Sequence, residues 1–229
     1  MQSAKNFQKE WNQVWSGKGF GFKFISLGRN VYSSFFKRLL MPYLTKSSEM
    51  LELGCGTATV GILVHSHIKR YTGLDISNVA LEETQKQVLK SNINNMDFIK
   101  GDCRNVAWIN QFDLVWSQGL IEHFDDPEHV IREHFKATKP GGATVIGVPC
   151  KCSYFSIWYA LTRLKFLRHF WPWTDQVFFP VKSLEALGKN VSPTARAFML
   201  QPFILGIVIL EITKPIMSSD GYASNEESL

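Results

Sequence analysis

Four carboxylates and a histidine, set among glycines, are the residues of this chain whose spacing could do chemistry. Glu52 ends a short apolar run, and glycines follow at Gly54 and Gly56 in the stretch Leu51-Glu-Leu-Gly-Cys-Gly-Thr-Ala-Thr-Val-Gly61. Glycine lacks a Cβ, so the backbone can turn tightly there and approach a ligand at the carboxyl end of a strand, with a helix starting beside it. Asp75 ends a second apolar run nineteen residues after Gly56. A carboxylate at that distance is placed to accept hydrogen bonds from ribose hydroxyls. Asp102 closes a third run, and Glu122-His123 follow a fourth. Imidazole titrates near neutrality, so His123, with Glu122 beside it, is the candidate for taking a proton from a nucleophile.

The ligand is a nucleotide of a particular kind. A dinucleotide fingerprint needs glycine at position 59, which is Thr59, and no Gly-Lys-Ser/Thr of a P-loop is present. An acid two residues before the first glycine is a poor neighbour for a pyrophosphate and suits a cationic or amine-bearing ligand. The segment resembles motif I of the class I S-adenosylmethionine-dependent methyltransferases, (D/E)-x-G-x-G-x-G, with Ala58 in place of the third glycine. Asp97-Phe-Ile-Lys-Gly-Asp102 looks like the strand that ends in the family's adenine-contacting acid. Ser117-Gln-Gly-Leu-Ile-Glu-His123 resembles the S-N-G-V-L-E-H stretch of small-molecule methyltransferases, with Gln118 for Asn, and Lys139-Pro-Gly-Gly142 precedes a fifth strand. The resemblance spans residues 49–148.

The resemblance implies S-adenosyl-L-methionine as cofactor. It places the donor at Glu52, Gly54, Cys55, Gly56 and Thr57, its ribose at Asp75 with Ile76, and its adenine at Asp102 with Cys103. Ser117 and Gln118 complete the donor set at the rim, and His123 is the catalytic candidate against a purely capping role for Glu-His. Metal-using relatives show Glu-x-x-Glu-His, and Gly119 stands where the first Glu would be, so no metal is expected. The nucleic-acid amino-methylating branch carries Asp/Asn-Pro-Pro-Tyr/Phe where this chain has Ser117-Gln118-Gly119-Leu120, so no nucleic-acid partner is expected.

Strands alternating with helical patterns are needed to position these groups. They predict a doubly wound α/β fold; the resemblance implies a Rossmann-like, seven-stranded, mostly parallel sheet with helices on both faces and an antiparallel final strand. The strand following Asp97–Asp102 is Phe112–Trp116, then come Ala143–Val148, about Ala195–Leu200 and Phe203–Thr213. Helices start near Thr59, after Asp75 (Val79, Val88 and Leu89 apolar), and over about Pro127–Thr138 with Val130, Ile131 and Phe135 inward, stopped by Lys139-Pro-Gly-Gly. Residues 1–217 are expected as one domain, in which the resemblance implies that 1–46 is an N-terminal helical cap and that 150–180, an aromatic, basic insertion after strand five, forms part of a lid. Residues 218–229 are a polar tail. His65, His67, His129 and His134 are taken as surface polar residues.

Composition narrows the class. At 229 residues and 45% hydrophobic, the chain can bury a sizeable core. Four cysteines form no disulfide pattern and no signal peptide is visible, so a cytoplasmic setting is expected. Cys150 and Cys152 read as small apolar residues at a strand end. The longest apolar run, Phe203–Leu210, is shorter than the ~20 residues of a membrane span and reads as a buried strand. Aromatics crowd the cap (Trp11, Trp15, Phe20, Phe22) and the insertion (Trp158, Tyr159, Trp171, Trp173), which fits a small-molecule acceptor with apolar or planar surface as well as simple packing. The insertion's Lys151, Arg163, Lys165, Arg168 and His169, with net charge +5, read as a solvated helix face, leaving peripheral membrane contact open. The function expected is methyl transfer to a small, partly apolar or aromatic metabolite. The alternatives are a lipid-like or membrane-presented acceptor, and a donor-binding scaffold without chemistry.

Overall fold

The computed structural model describes residues 4–16, 32–151, 154–163, 176–200 and 206–216. Phe20, Phe22, Cys152, Lys165, Arg168, His169, Trp171, Trp173 and the 218–229 tail therefore lie outside the described residues, as does the Trp158 side chain.

Seven strands form one sheet: β1 (Glu49–Leu53), β2 (Arg70–Asp75), β3 (Met96–Lys100), β4 (Phe112–Gln118), β5 (Thr138–Pro149), β6 (Arg196–Leu200) and β7 (Ile207–Thr213). Their order is β3-β2-β1-β4-β5-β7-β6. β7 runs antiparallel to β5 and β6, and the remaining pairs are parallel, as expected. The order reverses between β1 and β4, and a crevice at the carboxyl ends there is where such sheets bind ligands.

The helices are α1 (Ala4–Ser16), α2 (residues 32–40), α3 (Thr59–Val64), α4 (Asn78–Lys90), α5 (Pro127–Ala137), α6 (Tyr154–Thr162) and α7 (Val181–Lys189). The parallel strands are buried on both faces, so each face grows its own core. On one, Phe36, Leu40, Val60, Val64 and Val88 pack with Tyr71 and Trp116. On the other, Val130, Ile131 and Leu184 pack with Leu53, Val115, Ile146 and Leu210. Local chemistry sets the helix starts: Ala80 N donates to Ser77 Oγ ahead of α4, and His129 N to Asp126 Oδ1 ahead of α5, whose first residue is Pro127. Among the described residues no helix is long and apolar enough to cross a membrane.

Three expectations need correction. Leu89 lies on the outer side of α4, 69% exposed, while Val88 is buried. β4 runs two residues beyond Trp116, because Ser117 and Gln118 still pair with Ile146 and Gly147. Lys139-Pro-Gly-Gly142 is no break before β5 but an irregularity within it: the register shifts between Phe112↔Thr138 and Leu114↔Ala143. Gly142 is required there, since a Cβ would meet the carbonyl oxygens of Asp113, Lys139 and Phe112 at 2.8–3.1 Å.

Candidate donor-binding site

The loop after β1 is built from left-handed backbone. Gly54, Gly56 and Ala58 have φ of 66°, 50° and 47°. Ala58 thus adopts the conformation that the family's third glycine would take freely, at a cost of about 1–2 kcal/mol for a residue with a Cβ. Gly54 N and Cys55 N both donate to Leu74 O (2.8 and 3.1 Å), which folds the loop back onto the end of β2. A Cβ on Gly54 would meet Leu120 Cδ1 at 2.7 Å, and one on Gly56 would meet Trp15 Cζ2 at 2.5 Å.

The loop's acid is Asp75. Its Oδ2 accepts from Gly56 N (2.7 Å) and its Oδ1 from Ser77 N (2.8 Å). Burial raises its proton affinity, opposed by these backbone N–H groups. Glu52 is buried on the neighbouring strand, where Tyr71 OH donates to Oε2 at 2.5 Å. Burial pushes its carboxyl up to about 7 despite that bond. Asp102 lies beyond β3, gripped by Arg104 through Nη2–Oδ2 (2.6 Å) and Nε–Oδ1 (3.0 Å). Burial alone would raise the Asp102 carboxyl, but Arg104 holds it below its ordinary value.

Helix α1 crosses above these groups. Ser77 Oγ donates to Asn12 Oδ1 (2.8 Å), and the Trp11 ring meets His123 edge-on at 5.0 Å. Phe7 packs on Phe124 at 5.0 Å, and the Arg104 guanidinium lies over both rings at 5.8 and 5.7 Å. One hydrogen-bonded cation therefore links Asp102 to the helix overhead.

At the tip of β4, Ser117 is fully buried and its hydroxyl is committed to His134. His134 Nδ1 lies 2.7 Å from Val130 O, which only accepts, so Nδ1 carries the hydrogen and the neutral ring's Nε2 accepts from Ser117 Oγ at 2.8 Å. Burial holds this imidazole down at about 4. Gly119 (φ 65°) turns the chain, its N donating to Gly147 O, into the short turn Ile121–His123. Val177 N donates to Glu122 O (2.9 Å), tying in the strand-like segment that returns from the 150–180 stretch.

The structure thus gathers Glu52, Gly54, Cys55, Gly56, Thr57, Asp75 and Ile76 at adjacent strand ends, with Asp102 and Cys103 beyond β3. Gln118, the last residue of β4, and His123 beyond it are half-exposed. The histidine expectation fails where it matters most: His134 is buried at α5 position i+4 from Val130, on the inward stripe with Ile131 and Ala137. That stripe was a sequence signal for it. His129 is also tied inward, its Nε2 lying 2.7 Å from Arg104 O. His65 and His67 leave α3 for a 3₁₀ turn and stay half-exposed. Tyr71, Arg104 and Asn12 carried no signal of their roles. A cavity of about 740 Å³ beside β3, lined by Arg70, Val88, Met96, Phe98 and Trp108 among others, holds none of the site groups.

Fold and glycine loop are similar to those of the class I S-adenosylmethionine-dependent methyltransferases. Residues 50–142 match the family described as "Methyltransferase domain". The chain is 32% identical over 98 residues to the malonyl-[acyl-carrier protein] O-methyltransferase of Haemophilus ducreyi, covering 42% of this chain and 38% of that protein. It is 35% identical over 96 residues to the chloroplastic 2-methyl-6-phytyl-1,4-hydroquinone methyltransferase 1 of Oryza sativa subsp. japonica, covering 41% of this chain and 28% of that one. The match therefore spans well under half of these relatives. Among solved structures, magnesium protoporphyrin IX methyltransferase from Synechocystis PCC 6803, with bound SAH, superposes with a TM-score of 0.65 at 17% identity, covering 92% of this chain and 94% of that one. That likeness establishes the shared fold.

Proposed function

We propose that this protein transfers a methyl group from S-adenosylmethionine to a small, partly apolar or aromatic metabolite. One observation carries the reading: a left-handed glycine loop at the sheet's switch point, with its central N–H bound to the buried carboxylate of Asp75. The fit to the donor is good. Gly54 and Gly56 admit close approach, Asp75 presents acceptors suited to a ribose diol, and Glu52 lies one strand over for an amine-bearing group.

When bound, S-adenosylmethionine supplies a methyl group already activated by a sulfonium. The residues need only align and dry the reaction, and alignment is worth ~7–11 kcal/mol in favourable intramolecular cases. Glu52, Gly54–Thr57 and Asp75 hold the donor, and Asp102 bounds its base side. Helix α1, through Trp11, Asn12 and Trp15, excludes water from above. The pair Glu122-His123 is where a proton would leave the acceptor.

A lipid-like acceptor is the second reading. Ile157 and Leu161 lie four apart on α6 and are 64% and 45% exposed, an apolar strip beside the proposed acceptor side. Relatives named for phytyl-hydroquinone, ubiquinone biosynthesis and demethylmenaquinone support it. The test is incubation of the protein with methyl-labelled S-adenosylmethionine and separate water-soluble and lipid extracts. Label entering a water-soluble compound supports the first reading, and label confined to lipid supports the second. Donor binding with no transfer from either extract would leave a scaffold.

A further inference from the structure

The turn after β4 holds a buried carboxyl that neither the donor loop nor the fold uses. Glu122 is 3% exposed, and its Oε2 has no hydrogen-bond partner among the described residues. Buried polar groups are nearly always paired, so an orphan at a site's edge points to a partner that arrives from outside. Its surroundings are those of the acceptor side. Leu120 presses against Gly54 of the donor loop, and the α-carbon of Gly119 faces Glu122, where a Cβ would lie 3.6 Å from Oε1. The returning segment reaches the same turn through the bond from Val177 N to Glu122 O. His123, by contrast, is half-exposed and has its ring against Trp11.

We infer that Glu122, and not His123, receives the proton of the acceptor's nucleophilic O–H or N–H. The inference rests on the proposed methyl transfer. Glu122 Oε2 accepts that proton while the acceptor's electron pair bonds the methyl carbon and the carbon–sulfur pair stays on sulfur, so atoms and charge balance.

The electrostatics agree. Burial pushes the Glu122 carboxyl up to about 8, opposed only by its own backbone N–H. The elements packed on this turn are α5, β5 and, through Trp11 on His123, α1, whose Lys5 and Lys9 are exposed and whose Glu10 is half-buried; the charged groups of α5 and β5 are engaged elsewhere. Arg132 pairs with Glu128, Lys136 with Glu133 and Lys139 with Asp113, while His134 is neutral against Ser117 and His129 bonds Arg104 O. His123, Asp125 and Asp126 are the turn's own titratable neighbours. A carboxyl of this kind is mostly protonated at pH 7 and becomes a working base as pH rises toward 8.

The test uses the full chain and Glu122→Gln, which keeps shape and, against a mostly neutral acid, should keep the fold. Thermal melting at pH 6 checks that. Two probes are used, catechol for O–H and phenethylamine for N–H. Infrared difference spectra should show a protonated carboxyl band, missing in Glu122→Gln, that one probe perturbs in protein saturated with S-adenosylhomocysteine. If either probe is methylated, Glu122→Gln should lower kcat by ~10²–10⁴-fold and abolish a rising limb near pH 8 that His123→Ala retains. An unperturbed band, or a Glu122→Gln enzyme with the wild-type limb, overturns the inference. If S-adenosylhomocysteine does not bind, the methyltransferase reading falls. The infrared experiment without it then decides whether either probe reaches Glu122.

Discussion

Lowering the pH from 7.5 to 4.5 should remove the stability that one buried residue of α5, His134, contributes to this domain. His134 is held neutral in the fold, donating from Nδ1 to Val130 O and accepting at Nε2 from Ser117. Its proton affinity falls from the ordinary 6.5 to about 4 because burial disfavours the imidazolium. The unfolded chain therefore binds a proton between these values that the folded chain refuses. His134's contribution is complete above pH 6.5 and is lost as pH falls toward 4. With 1.36 kcal/mol per pH unit, the loss by pH 4.5 is about 2.5 kcal/mol. His134→Gln lacks this titration but makes poorer bonds, costing about 1–2 kcal/mol at pH 7.5. Urea unfolding of both proteins, followed by tryptophan fluorescence from pH 4.5 to 7.5, isolates the residue, since Glu52 and Glu122 titrate alike in both. The wild type should be the more stable at pH 7.5 and lose that lead near pH 5. Two curves separated by a constant offset would refute a neutral, buried His134.

Asp75→Ala removes the acceptor of two backbone N–H groups and should weaken S-adenosylhomocysteine binding by ~1.5–3 kcal/mol in calorimetry, while lowering the melting temperature. Unchanged affinity would move the ribose away from Asp75. Turnover should survive chelation, because Gly119 stands where metal-using relatives place an acid; restoration of lost activity by Mg²⁺ would contradict that. Tyr159 packs on Phe178 at 5.4 Å with Arg163 over its ring. Tyr159→Ala should raise the acceptor's KM and leave donor affinity intact, and the reverse pattern would place the 150–180 stretch on the donor side.

The first four strands were legible because each is a short run closed by a glycine or an acid, and the loop after β1 because Glu52, Gly54, Gly56 and Asp75 stand at a distinctive spacing. Even Ala58, in place of the motif's third glycine, kept the left-handed turn. What escaped was pairing across long stretches of chain. Nothing near Asp102 announces that its partner Arg104 also stacks on Phe7, nor that Ser77 reaches Asn12, 65 residues away. His134 was misjudged because polarity outweighed position: a histidine looks like surface until its slot on the α5 stripe and its two hydrogen bonds are seen together. The Lys139-Pro-Gly-Gly turn was read as a stop because glycine and proline punctuate helices, yet Gly142 is there for close backbone contact inside β5.

The most direct test of donor recognition is titration of the purified chain with S-adenosylhomocysteine and, separately, with NAD. The glycine loop, Asp75 beneath it and Thr59 in place of the dinucleotide glycine predict saturable one-to-one binding of S-adenosylhomocysteine and markedly weaker binding of NAD. Equal or tighter binding of NAD, or no binding of S-adenosylhomocysteine, would contradict the account.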